Sequence, residues 1–158
     1  RGLVQLPLVA PLSNTYVLLR AGESFFDEKD EVRSNPVNKL SVDDGLTTRG
    51  KTQAEDAAAT LVEMGVEDPI IWYSTWAKAS QTAEIVADRL IVGRDRRQPE
   101  YNFLDARGLG LFEGTSLAYA EKVVAAMDEI DPNDKPPLAQ ASIGIDGGTP
   151  NKSVADML

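Results

Sequence analysis

Apolar and polar positions along the chain follow two different periods. Thr15 to Leu19 is β-branched and apolar throughout and predicts a short buried strand. Ser24 to Leu46 is polar and irregular, with Asn35-Pro36 and Asp44-Gly45 as turn formers. Helical spacing begins next. Thr47 or Thr48 caps a helix running through Gln53 to Met64, with Ala54, Ala57, Ala58, Leu61 and Val62 on one face and Gly65 at its end. Pro69 to Ser74 reads as a second strand. Ala77 to Leu90 reads as a second amphipathic helix, with Ala79, Thr82, Ala83, Val86 and Leu90 on one side. Val92 to Asn102 predicts a connector with an extended piece near Pro99 to Asn102. Leu117 to Ile130 predicts a third helix, and Asp131 to Thr149 a loop rich in Pro and Gly. Strands alternating with helices predict an α/β fold, a three-layer α/β/α sandwich around a parallel or mixed sheet.

Composition narrows the function more than the fold. A chain of 158 residues is most simply one domain with a real core. Residues 1–14 read as an extended apolar arm and 15–158 as the domain; a start at Arg1, without methionine, points to processing or truncation. No run of about 18 uncharged apolar residues predicts a membrane span. A net charge of −9 argues against a broad nucleic-acid surface, which needs clustered Lys and Arg. With no cysteine there is no disulfide or thiolate chemistry. With no histidine, the usual base near neutral pH and the commonest transition-metal ligand are both missing. A carboxylate-bound Mg²⁺ or Ca²⁺ stays open, but no calcium-loop spacing occurs, and no metal site or cofactor is assigned.

Five segments then carry a resemblance. Tyr16-Val17-Leu18-Leu19-Arg20-Ala21-Gly22-Glu23-Ser24 resembles a strand ending in Arg-His-Gly-Glu. Gly45-Leu46-Thr47-Thr48-Arg49-Gly50-Lys51-Thr52-Gln53-Ala54 is similar to Gly-Leu-Thr-x-x-Gly-x-x-Gln-Ala. Ser74, with Lys78-Ala79-Ser80-Gln81-Thr82-Ala83, is similar to Ser-x-x-x-Arg-Ala-x-Gln-Thr-Ala. Leu104-Asp105-Ala106-Arg107-Gly108-Leu109-Gly110-Leu111-Phe112-Glu113-Gly114 resembles Leu-x-Glu-Arg-x-x-Gly-x-x-Glu-Gly. Gly148 to Asp156 stands where Gly-x-Glu-Ser and a following helix occur. In this order the segments resemble the histidine phosphatase (phosphoglycerate mutase-like) superfamily. The resemblance implies the phosphoglycerate mutase-like sandwich, incomplete at the C-terminus, its closing helix and strand falling beyond Leu158.

It also implies a phosphoryl-transfer pocket: a nucleophilic histidine, two arginines, a second histidine and a carboxylic proton donor. Such a pocket must neutralise a dianion and offer an in-line nucleophile. Carried over residue by residue, Arg20 stands as an anion-binding fork. Ala21 replaces the nucleophile, and Lys78 replaces the second arginine, keeping charge but losing bidentate geometry. Asp27 puts a carboxylate where many members have a neutral asparagine, and Ala106 falls at the proton-donor position. Gly22, Glu23, Asp27 and Asp105 are the pocket neighbours. Asp105, Glu113 and Glu23 are the candidate substitute acids. A single engineered His-to-Ala change would leave the rest of such a pocket intact, whereas Asp27, Lys78 and Ala106 read as drift after catalysis ceased to matter.

The expectation is a non-catalytic binding or scaffold subunit of that fold, a pseudophosphatase. Its partners would be other protein subunits, with a weak phosphate-bearing ligand at Arg20 and Lys78. The alternative is a phosphomonoesterase or mutase whose nucleophile has been replaced. Arg-Ala-Gly-Glu-Ser resembles pseudoenzyme forms of plant and algal plastids, which implies a plastid (chloroplast) location; a soluble intracellular one is the alternative. Trp72 is assigned to the core, with Trp76 beside the pocket loop. Phe25 and Phe26 read as packing residues, and Gly93 to Arg97 as a solvated basic turn.

Overall fold

Thr47 settles where the long helix begins. Its backbone is extended, and its side chain accepts the Gly50 N–H at 3.0 Å, so one of the unpaired donors of the first turn is satisfied. The computed structural model, which describes residues 14–133 and 136, therefore starts this helix as the spacing predicts. Ahead of it, α1 (Phe25–Glu28) is a single turn closed by a capping box between Ser24 and Asp27. Two 3₁₀ turns follow, Pro36–Asn38 and Val42–Asp44, so the segment read as irregular holds three short helical turns. Then come α2 (Thr48–Glu63), β1 (Ile71–Ser74), α3 (Ala77–Arg89), β2 (Arg97–Glu100) and α4 (Leu117–Ile130).

β1 and β2 pair in parallel, Ile71 opposite Arg97 through Ser74 opposite Glu100. The connection between them contains α3, as parallel strands require. Pro99 is tolerated because β2 has no second neighbour among the described residues. Ala58, Leu61 and Val86 form a core cluster between α2 and α3, with Val66, Ile71 and Leu90 packed against it. Ala54 and Ala58 of α2 and Ala83 and Ala87 of α3 are buried, and their small side chains let the two helices lie close over the Ile71 face of the sheet. Gly65, at φ +73°, ends α2 in the left-handed conformation that glycine adopts without penalty.

Four expectations are corrected. Thr15 to Leu19 is not a strand: no described segment pairs with it, and Leu18 is 98% exposed. An apolar run becomes a strand only when a neighbour takes its N–H and C=O groups. β2 starts at Arg97, two residues before the predicted extended piece. Val62 is half exposed rather than core. The tryptophans are exchanged: Trp72 is 65% exposed on the far side of β1 from Ile71, whereas Trp76 is 4% exposed at the start of α3. Residues 1–13 of the arm, most of the 131–149 loop and the Gly148–Asp156 segment lie outside the described residues, as does the expected incompleteness of the fold beyond them.

Candidate functional site

The Arg20-Ala21-Gly22-Glu23 segment is fastened to the start of α2 and to α3. Gly22 donates its N–H to the Thr82 hydroxyl of α3 at 3.1 Å. A Cβ on Gly22 would collide with the Gly50 carbonyl, and one on Gly50 with the Glu23 carbonyl; both glycines permit a direct backbone contact. Glu23 donates its N–H to Gln53 Oε1 at 2.9 Å and accepts the Thr47 N–H at 3.0 Å. Its carboxylate takes the Thr47 hydroxyl at 3.0 Å and Arg49 at 3.2 Å. Glu23 is thus a clamp at the positive end of a helix dipole rather than a free acid.

Ala21 is half-buried and presents only a methyl group. Arg20 is exposed and has no hydrogen bond or ion pair among the described residues. Lys78, by contrast, is engaged. Its ammonium lies 3.1 Å from Asp27 Oδ1 and 3.3 Å from Oδ2, and Asp27 Oδ2 also accepts the Ser24 N–H at 2.9 Å. Burial works against a charge on Asp27, but the Ser24 amide and Lys78 outweigh it and hold this carboxyl below the usual range. The structure therefore joins two predicted pocket residues to each other.

The other acids are also occupied. Asp105 pairs with Lys39 at 2.7 Å and accepts the Ser74 hydroxyl at 2.9 Å. Glu113 Oε2 accepts the Ser34 N–H at 2.7 Å, the Ser34 hydroxyl at 2.9 Å and the Asn35 N–H at 3.1 Å. Ala106 is exposed. Arg107, from the same motif, holds both oxygens of Asp128 on α4. Phe26 lies beneath the Arg33 guanidinium and the Lys29 ammonium. In the basic turn, Arg96 pairs with Asp68 and Arg97 with Asp88.

A cleft of about 490 Å³ opens beside Asp27, lined by Glu23, Phe25, Asp27, Glu28, Thr47, Thr48 and Arg49. Three carboxylates against one guanidinium make it a poor seat for a dianion. Sequence reasoning missed Asp44, which is buried beside Ser24, Asp27 and Lys78; burial raises its pKa, the Asp27 charge adds to the rise, and the Ser24 hydroxyl and Lys78 oppose it. An aspartate before a glycine in an irregular stretch reads as a turn former and gives no sign of this. Thr82 and Gln81 were within reach, since both belong to the quoted Gln-Thr-Ala segment, and Gln81 Oε1 accepts the Leu46 N–H at 2.8 Å. Among the described residues, no group of three or more Asp or Glu side chains is placed to hold a metal, and no helix is long and apolar enough to cross a membrane.

A parallel βαβ unit, with an Arg-x-Gly-Glu loop clamped to the neighbouring helix start, defines an α/β domain of the phosphoglycerate mutase-like class. The chain belongs to the histidine phosphatase superfamily (branch 1), whose family model matches residues 16–139. Among solved structures it is similar to mycobacterial hydrolase 1, at a TM-score of 0.55 and 20% identity, over 74% of this chain and 50% of that one. It is also similar to the native mycobacterial glucosyl-3-phosphoglycerate phosphatase, at a TM-score of 0.53 and 18% identity, over 85% of this chain and 53% of that one. At such identities the likeness concerns the fold, and the chain spans about half the length of either structure. No curated protein sequence matches it.

Proposed function

We propose that this chain is a non-catalytic member of the superfamily, a binding or scaffold subunit rather than a phosphatase. The observation that carries the reading is Ala21. It stands at the nucleophile's place in the motif, and a methyl group cannot accept a phosphoryl group. The surroundings support it: Lys78 is paired with Asp27, and Glu23, Asp105 and Glu113 all serve as structural acceptors. Arg20, which has no ion pair among the described residues, is the cation that would meet a phosphate-bearing ligand, and it binds such a ligand weakly. On the resemblance of Arg-Ala-Gly-Glu-Ser to plastid forms, the subunit works in a plastid with protein partners.

The second reading, a phosphomonoesterase or mutase with its nucleophile replaced, draws on the solved neighbour that is itself a phosphatase. Ala21→His, assayed on p-nitrophenyl phosphate together with the unaltered chain, separates the two. The first reading expects neither protein to hydrolyse the ester or to form a phosphohistidine. Hydrolysis by the unaltered chain overturns it, and activity gained with Ala21→His moves the assignment to the second.

A further inference from the structure

Asp44 closes the 3₁₀ turn Val42–Asp44 and is 1% exposed, yet among the described residues neither of its carboxylate oxygens makes a well-formed hydrogen bond, the Ser24 hydroxyl and the Phe26 amide only facing it. Two elements pack against that turn, α1 and α3. From α1 and its cap come the Ser24 hydroxyl, the Phe26 amide and the Asp27 carboxylate; from α3 comes the Lys78 ammonium, with the neutral Gln81 beside Gly45. On the turn itself, Asp43 is exposed. The cluster therefore holds two carboxylates and one cation, and both hydrogen bonds of that cation go to Asp27. Were Asp44 ionised in this arrangement, its buried negative charge would have no counter-ion of its own, since Lys78 is bonded to Asp27. Such a charge is relieved either by taking up a proton or by moving a counter-ion.

We propose that Asp27, Lys78 and Asp44 form a proton-operated switch: with a proton on Asp44, Lys78 pairs with Asp27, and when that proton leaves to solvent, Lys78 swings inward and frees the Asp27 carboxylate into the cleft. Lys78 can act as the moving part because its ammonium is a point charge on a flexible stem, with no fork geometry to satisfy. The two ends of the switch are biased in opposite directions. Burial, aided by Asp27, raises Asp44, while the Ser24 amide and Lys78 lower Asp27 against its own burial. The pair thus titrates as a coupled unit, with the first proton lost from Asp27 and the second from Asp44. In the second state the cleft gains an unpaired carboxylate, so pH sets how strongly it attracts a cationic group. This holds whether or not the chain turns over a phosphate ester.

The test is a carbon-detected NMR titration of the aspartate carboxyls, with the Lys78 ammonium followed in parallel. Asp44 is expected to titrate above an ordinary aspartate. The Asp27 and Lys78 signals should move a second time at the Asp44 midpoint. Asp44→Asn, which keeps the shape, should remove that upper step and leave Asp27's lower one in place. If Asp44→Asn does not fold, Lys78→Met in the full chain should push the Asp44 midpoint higher and erase Asp27's upper step. The switch is refuted if Asp44 titrates at or below the ordinary value. It is equally refuted if Asp27 and Lys78 ignore the Asp44 midpoint, if the upper step survives Asp44→Asn, or if Lys78→Met leaves the Asp44 midpoint where it was.

Discussion

The Lys78 ammonium, in the first turn of α3, bridges both carboxylate oxygens of Asp27 in α1, at 3.1 and 3.3 Å. The bridge spans 51 positions of sequence and ties the loop that follows Arg20 to the helix that follows β1. It also compensates the cation that would stand in for an arginine at an anion site. An ammonium already matched by a carboxylate offers an incoming phosphate little net attraction, and the phosphate would have to displace Asp27 first.

This bridge predicts an acid-limb dependence of stability. The folded-state pKa of Asp27 is lowered, so the folded chain binds that proton more weakly than the unfolded chain does. The contribution is therefore present above the unfolded aspartate pKa and is lost as pH falls through the lower folded value. Both side chains are about a quarter exposed, so the pair is expected to contribute about 1 kcal/mol. Urea midpoints measured from neutral to strongly acidic pH should fall on the acid side. With Asp27→Asn the neutral-pH midpoint should be lower and this part of the slope should disappear. An unchanged acid limb in the variant would show that the bridge does not form in solution.

Gly50→Ala tests the close approach of the motif loop to α2. On helix propensity alone alanine would gain up to about 1 kcal/mol in a helix. Here its Cβ would meet the Glu23 carbonyl, a backbone atom held by the Thr47 N–H and unable to turn away as a side chain could. Overpacking of this kind costs about 1–3 kcal/mol. With the loop pinned on two sides, the upper part of that range should prevail and leave a net loss of about 2 kcal/mol in urea unfolding. A gain in stability would mean that the loop and the helix start lie farther apart.

What was legible in the residues follows from the range of the interactions involved. The bounds of α2 and α4 are set by spacing and by caps only a few positions away, at Thr47, Gly65 and Ser116, and those of α3 by spacing without a side-chain cap, so they can be read locally. Thr15 to Leu19 has strand composition, but whether it pairs depends on a distant segment, and no local signal carries that. The site divides in the same way. Gly22, Glu23, Asp27 and Lys78 could be picked out from their motifs, but not that Asp27 would take Lys78 for itself, nor that Asp44 would be buried against both. Trp72 and Trp76 are both large and apolar, and their places depend on which face of β1 and which end of α3 the rest of the chain covers. Only the packing decides that.

Glu113 was a candidate acid, and its geometry gives it a different job. One oxygen accepts three hydrogen bonds from Ser34 and Asn35, which fixes the loop between α1 and α2 against the turn before α4. Glu113→Ala should lower stability by about 3 kcal/mol, since it strands several partly buried donors of a charge-assisted set. Glu113→Gln, which keeps an acceptor oxygen, should lose about 1 kcal/mol. Equal effects of the two changes in denaturant titrations would argue against the three-donor arrangement.

The two tryptophans provide an optical test of the packing. Trp76 is almost sealed, and its indole N–H has no hydrogen-bond partner among the described residues, whereas Trp72 stands largely in solvent. Acrylamide should therefore quench Trp72 fluorescence strongly, as read in a Trp76→Phe variant, and quench Trp76 weakly, as read in Trp72→Phe. Stability should follow the same order. Trp76→Ala removes a buried ring beside the start of α3 and should cost about 3–5 kcal/mol. Trp72→Ser should stay within about 0.5 kcal/mol, because surface changes away from special features seldom do more. If Trp72 instead proved shielded in the purified chain, the Trp72 face of β1 would have to be covered in solution, and the loss on Trp72→Ser would measure that cover.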